Sequence, residues 1–102
     1  MSARPGPTPP RKRNINWAYR FDERALKDLR KLGKQAQRGI IAYLDERIAG
    51  EGDPRRFGKG LKADLAGLWR YRVGDYRILC QIQHGELLVL VVACGHRRDI
   101  YE

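Results

Sequence analysis

The sequence has little from which to build a metal centre or a disulfide framework. Its 102 residues include two cysteines and two histidines. Cys80 and Cys94 each lie inside an apolar run, with no His or Cys partner at ligand spacing. That pattern gives no metal signal and reads as two buried free thiols in a reducing compartment, which places the protein in the cytosol. Long apolar runs are missing too. The longest, Leu87 to Cys94, has the length of a strand and falls far short of a membrane span. The basic residues near the start are followed by no apolar stretch, so no secretory signal is expected. Acidic residues are scarce: Asp and Glu number 12 against 21 Lys and Arg, for a net charge of +9. A basic chain of this size points to a polyanion such as nucleic acid, or to an acidic protein partner.

What is present suits one domain with a modest core. Length bounds the domain count, and a hydrophobic content of 42% argues against global disorder. Residues 1–14 hold four of the five prolines and Arg4, Arg11, Lys12 and Arg13, with no acid. They read as a disordered basic arm ahead of a domain over 15–102. The arm accounts for +4 of the charge and leaves +5 of the +9 on the domain, so the excess is not only a tail effect.

Within the domain the periodicity changes several times. Asn16 to Phe21 is an aromatic-rich strand candidate. Asp22 is placed to cap a helix whose apolar residues, Ala25, Leu26, Leu29 and Leu32, recur at helical spacing. Gly33 fits the position just past that helix. A second helix carries Ala36, Ile40, Ile41, Tyr43, Leu44 and Ile48, and is ended by Gly50, Gly52 and Pro54. The short connection predicts a two-helix hairpin. Arg55 to Gly67 reads as a connecting loop. It lacks the spacing of a phosphate-binding P-loop, although Lys59 and Lys62 are candidates to approach phosphate or RNA. Leu68 to Val73, Tyr76 to Gln83 and Glu86 to Cys94 read as strands, with two-residue hairpin signals at Gly74-Asp75 and His84-Gly85. Leu87 to Cys94 is nearly continuous apolar, which predicts a central strand covered on both faces. The expected fold is therefore α+β, in the order β-α-α-β-β-β, with a helix hairpin packed on a small, mainly antiparallel sheet.

The Gly74-Asp75 turn also sets a register. It pairs Val73 with Tyr76, Arg72 with Arg77, Tyr71 with Ile78 and Arg70 with Leu79. Opposed residues share a face, as do residues two apart. Trp69, Tyr71, Val73, Tyr76, Ile78, Cys80 and Ile82 then form the core side, and Arg70, Arg72 and Arg77 gather on the other. Like charges directly opposed in a ladder repel. No acid lies at adjoining same-face positions of these strands. An anionic ligand over the face accounts for the arrangement, because arginine forks match phosphate oxygens and stay charged. The closing segment adds His96, Arg97, Arg98 and Tyr101, groups suited to proton transfer and charge stabilisation near a phosphate.

The run Trp69-Arg70-Tyr71-Arg72-Val73-Gly74-Asp75-Tyr76-Arg77-Ile78, followed by Gly95-His96-Arg97-Arg98-Asp99-Ile100-Tyr101, resembles the RelE branch of the RelE/ParE toxin superfamily. Phe21 to Lys27 resembles the opening of such toxins, and the similarity runs from about Trp17 to Tyr101. The resemblance implies a toxin held by a cognate antitoxin and cleaving mRNA in the ribosomal decoding site; neither a cofactor nor a metal is expected, and no membrane. In such enzymes the nucleotide's own 2′-hydroxyl attacks the adjacent phosphate. By position, Tyr101 is the general base or orients the 2′-hydroxyl, Arg97 acts near the leaving oxygen, and Arg77 holds the scissile phosphate. Arg70 and Arg72 fall where RelE toxins typically carry lysines. They can steady charge on phosphorus but are poor proton donors. Arg98, His96, Lys59 and Lys62 are the remaining RNA-binding candidates. The basic arm is a second departure, because such toxins usually begin close to the first strand. Two other readings stand beside this one. A ParE-type toxin on the same fold poisons DNA gyrase without cutting RNA, and such chains generally lack the full arginine and tyrosine set. A non-catalytic basic module would dock RNA or an acidic partner.

Overall fold

The computed structural model of the protein describes residues 16–100. The expected arm over residues 1–14 and the site candidate Tyr101 lie outside the described residues. Strand β1 (Ala18–Phe21) leads into helix α1 (Glu23–Lys31) and helix α2 (Lys34–Tyr43), which widens into a π turn over Leu44–Ile48. A two-residue strand β2 (Lys59–Gly60) precedes β3 (Trp69–Val73), β4 (Tyr76–Gln83) and β5 (Leu88–His96). The five strands form one sheet in the order β1-β5-β4-β3-β2. β1 runs parallel to β5 and the other pairs are antiparallel. The expected α+β architecture, two helices on a mainly antiparallel sheet, is the one observed. No helix among the described residues is long and apolar enough to cross a membrane.

The helices start and stop for local reasons. The Asp22 carboxylate accepts from the Ala25 N–H at 2.8 Å, and Glu23 favours the positive end of α1. Ala25 and Leu29 are buried on the face that packs against β5. Gly33 stands just past the end of α1, as expected; it is extended there, with φ −68° and ψ 162°, and forms the N-cap of α2. Leu32 closes α1 by donating its N–H to the Leu29 carbonyl, which leaves the glycine's freedom unused there. Ile40, Leu44 and Ile48 are buried one turn apart along α2 and its extension. Gly50, at φ +116°, then pairs with Trp17 and ties the end of this segment to the start of β1.

Three details differ from the sequence reading. The stretch 55–67 contains β2, which adds to the outer edge of β3. The turn at His84-Gly85 is a 3-10 turn over His84–Glu86 followed by Leu87 at φ +50°, so β5 begins at Leu88 rather than at Glu86. Leu87 packs against the main core, and that burial offsets a left-handed conformation costing about 1–3 kcal/mol. Finally, β5 carries a bulge. Leu79 pairs with Ala93 and Cys80 with Val91, so Val92 is the extra residue. The bulge turns Val92 and Ala93 to the same side, away from the helices. There they join Leu61 and Leu79 in a second, smaller apolar cluster. The back of β5 is consequently covered only in part: Ala93 is buried, and Leu90 and Val92 are half-buried.

The bend before β2 depends on Gly58. Its φ is +75°, and a Cβ there would lie 2.3 Å from the Arg70 carbonyl oxygen. Gly58→Ala is expected to cost about 1–3 kcal/mol for the backbone conformation alone, with the clash in addition. It should also loosen β2 from β3. Urea unfolding checks the first effect and amide hydrogen exchange at residues 59–60 the second.

Candidate functional site

The β3–β4 hairpin supplies the centre of the site. Gly74 takes φ +59°, the turn conformation that glycine adopts without steric cost, and the chain reverses through Gly74-Asp75. The register is the one expected: Arg72 opposite Arg77, and Arg70 opposite Leu79. The core side is also as expected, with Tyr71, Ile78 and Cys80 fully buried under the helices. Arg70, Arg72 and Arg77 thus occupy the other face. Strand β2 extends that row, because Lys59 pairs with Arg70 and shares its face.

Two of these arginines are not on an open, solvated surface. Arg70 is 4% exposed and Arg77 8%, whereas Arg72 is exposed. Burial, then Arg72 and Arg77 nearby, lowers the proton affinity of the Arg70 guanidinium from its ordinary value. Burial, then Arg72 and Arg97, acts on Arg77 in the same direction, with Asp75 opposing. These cross-influences place Arg70, Arg72, Arg77 and Arg97 within one electrostatic neighbourhood. Guanidiniums stay charged through shifts of this kind, so the face remains cationic at any physiological pH.

The hairpin turn holds two of the arginines at once. The Arg77 Nη1 donates to the carbonyls of Gly74, at 3.2 Å, and Tyr76, at 3.1 Å. The Arg97 backbone N–H donates to the Asp75 carbonyl at 2.6 Å, and its Nε lies 3.9 Å from the Asp75 carboxylate. Asp75, which the sequence marked only as a turn residue, thereby links the closing segment to the hairpin. Because both side chains of this ion pair are 63% exposed, Asp75→Ala should change stability by less than about 1 kcal/mol. A thermal melt checks this, and a much larger loss would show that the carboxylate does more than pair with Arg97.

The other expected site residues are dispersed. His96 pairs with Tyr76 and shares its face, the helix side of the sheet, so it does not join the arginines as expected. Its ring stands edge-on to Tyr76, with centroids 5.5 Å apart, and its Nδ1 accepts from the Arg98 N–H at 3.3 Å. Arg98 is exposed on the turn that follows. Lys62 is exposed at the head of a 3-10 turn over Ala63–Leu65, beyond the ladder that holds Lys59. Among the described residues no group of three or more His, Cys, Asp or Glu side chains is arranged to hold a metal ion. Chemically, the face can bind and polarise a phosphate. Its arginines do not supply a base.

Comparison with known proteins bears on this geometry. Residues 19–101 match the family described as the ParE toxin of the type II toxin–antitoxin system parDE. The chain is 33% identical over 85 residues to Toxin RelG of Mycobacterium tuberculosis, covering 83% of this chain and 95% of that one. It superposes on the toxin–antitoxin complex RelBE2 of the same organism with a TM-score of 0.73 and 30% identity, over 80% of this chain and 92% of that one. The isolated RelE toxin of E. coli matches with a TM-score of 0.63 and 26% identity, over 78% of this chain and 83% of that one.

Proposed function

Since the chain belongs to the RelE/ParE superfamily of type II toxin–antitoxin toxins, we propose that it is a RelE-type toxin that arrests growth by cutting mRNA in the ribosomal A site. The observation that carries this reading is the placement of Arg77. It is nearly buried on a strand, opposite Arg72 and close to Arg70 and Arg97, a geometry suited to gripping one phosphate. In the proposed reaction Tyr101 orients the 2′-hydroxyl and, as the phenolate, takes its proton while the 2′-oxygen bonds to phosphorus. The P–O5′ bond breaks, and the 5′-oxygen leaves beside Arg97, which steadies its charge while it takes up a proton from water. Arg77 holds the phosphate while Arg70 and Arg72 offset charge growing on its oxygens. Exposed Arg98 and Lys59 extend the contact along the RNA backbone. A cognate antitoxin with an acidic or amphipathic segment covers the arginine face and silences it in the cytosol.

The matching family model gives the gyrase-poison reading a specific basis. The relatives named RelG and RelE, together with the arginine set, favour RNA cleavage. Brief expression in bacteria separates the two readings. Growth arrest with mRNA cut within codons, relieved by co-expressing the adjacent reading frame, supports the first. Arrest with intact mRNA and loss of gyrase supercoiling supports the second.

A further inference from the structure

The arginine face continues into a feature that the proposed reaction does not use. Along β4, residues 77, 79 and 81 point to the same side, and the bulge at Val92 adds an apolar step beside them. The result is a cleft of about 520 Å³ whose floor includes Leu68, Leu79, Val92 and Ile100. Leu79 is the ladder partner of Arg70 and lies two residues from Arg77. That is about 7 Å along the strand, on the scale that separates a phosphate from a neighbouring base.

The rim is polar and different in kind. Gln81, Arg24, Asp22 and Asp99 border the opening, which therefore offers both donors and acceptors. Two carboxylates against the one Arg24 guanidinium leave the rim net acidic, which disfavours a second phosphate and the acidic peptide that the arginines attract. A neutral ring with N–H groups on its edge meets neither objection. Unstacked bases are typically held between apolar side chains while polar groups read their edges. Resting on the RNA-cleaving reading, we infer that this cleft receives one unstacked nucleobase of the RNA, beside the phosphate held by Arg77, and that Gln81 and Asp99 read its edge. The cleft then sets base preference next to the cut, and the arginines supply sequence-independent grip.

The test uses the full chain with programmed ribosomes whose mRNA carries each of the four bases, or an abasic nucleotide, on either side of the cut. In the wild type, one abasic position should lower kcat/KM about tenfold, as expected when one base loses its stacking contact. Gln81→Ala, on an exposed side chain, should collapse the spread between the best and worst base at that position. Val92→Phe, which fills the floor, should cut the normal mRNA as slowly as the wild type cuts the abasic one. Unchanged base preference and rate in both variants would overturn the inference while leaving the nuclease in place. So would an unchanged RNA profile with weakened antitoxin binding, which would make the cleft a protein-docking surface. A wild type that cuts no RNA would instead remove the underlying reading, and this inference with it.

Discussion

Arg77→Ala is expected to lower RNA cleavage by roughly 10²–10³-fold, the usual cost of removing one preorganised donor from a developing oxyanion. The fold should survive. The substitution removes packing from a nearly buried stem, and it also removes a like charge facing Arg72 and Arg97. Relief of that repulsion opposes the lost packing and the lost Nη1 bonds to the Gly74 and Tyr76 carbonyls, so the net destabilisation should stay within about 1–2 kcal/mol. Arg77→Lys keeps the charge but loses the two-pronged fork, and should recover only part of the rate. Single-turnover cleavage beside a urea melt separates chemistry from folding. Because guanidiniums do not titrate near neutrality, phosphate grip should be flat with pH. Any pH dependence of the rate then reports another group, for which Tyr101→Phe is the matching variant. Cleavage within threefold of wild type in Arg77→Ala would shift the phosphate-holding role to Arg70 or Arg72.

The largest effect on stability is expected at Tyr71. It lies between Arg70 and Arg72 in sequence and is fully buried on the opposite face. Its hydroxyl donates to the Pro54 carbonyl at 2.7 Å, and its ring lies 5.8 Å from that of Tyr43. Burial is the main cause of the upward shift in its phenol pKa, which keeps the proton on the donor. Tyr71→Ala should cost about 3–5 kcal/mol, as large aromatic deletions do. That approaches the whole stability of a small domain, about 5–15 kcal/mol, so the variant should be largely unfolded or close to it. Tyr71→Phe keeps the ring and leaves the Pro54 carbonyl without its donor, for a loss of about 1–3 kcal/mol. Urea unfolding measures both. A Tyr71→Ala protein with a wild-type midpoint would mean that Tyr71 does not anchor the hairpin that presents the arginines.

The hairpin was the most legible part of the chain. A two-residue turn leaves one register, and alternation then assigns every side chain on β3 and β4 to a face. Strand β5 was harder to read, because a run from Leu87 to Cys94 with no polar residue carries no alternation. The bulge at Val92 is therefore invisible in the sequence, and so is the cleft it opens. His96 shows the same limit. Its neighbour Arg97 made it look like part of the cluster, yet its pairing with Tyr76 assigns it to the helix side. The burial of Arg70 and Arg77 depends on tertiary packing around the ladder, including a two-residue strand too short to carry a pattern. The link between Arg97 and Asp75 joins residues whose proximity only the folded sheet creates.

The most direct test of the central claim is to incubate the full chain with mRNA-programmed ribosomes in excess EDTA and read the chemistry of the new ends. Attack by the 2′-hydroxyl predicts a 2′,3′-cyclic phosphate on one fragment and a 5′-hydroxyl on the other, both absent with Arg77→Ala. Intact mRNA from a preparation that still arrests growth would contradict the account and assign the arginine face to a different target.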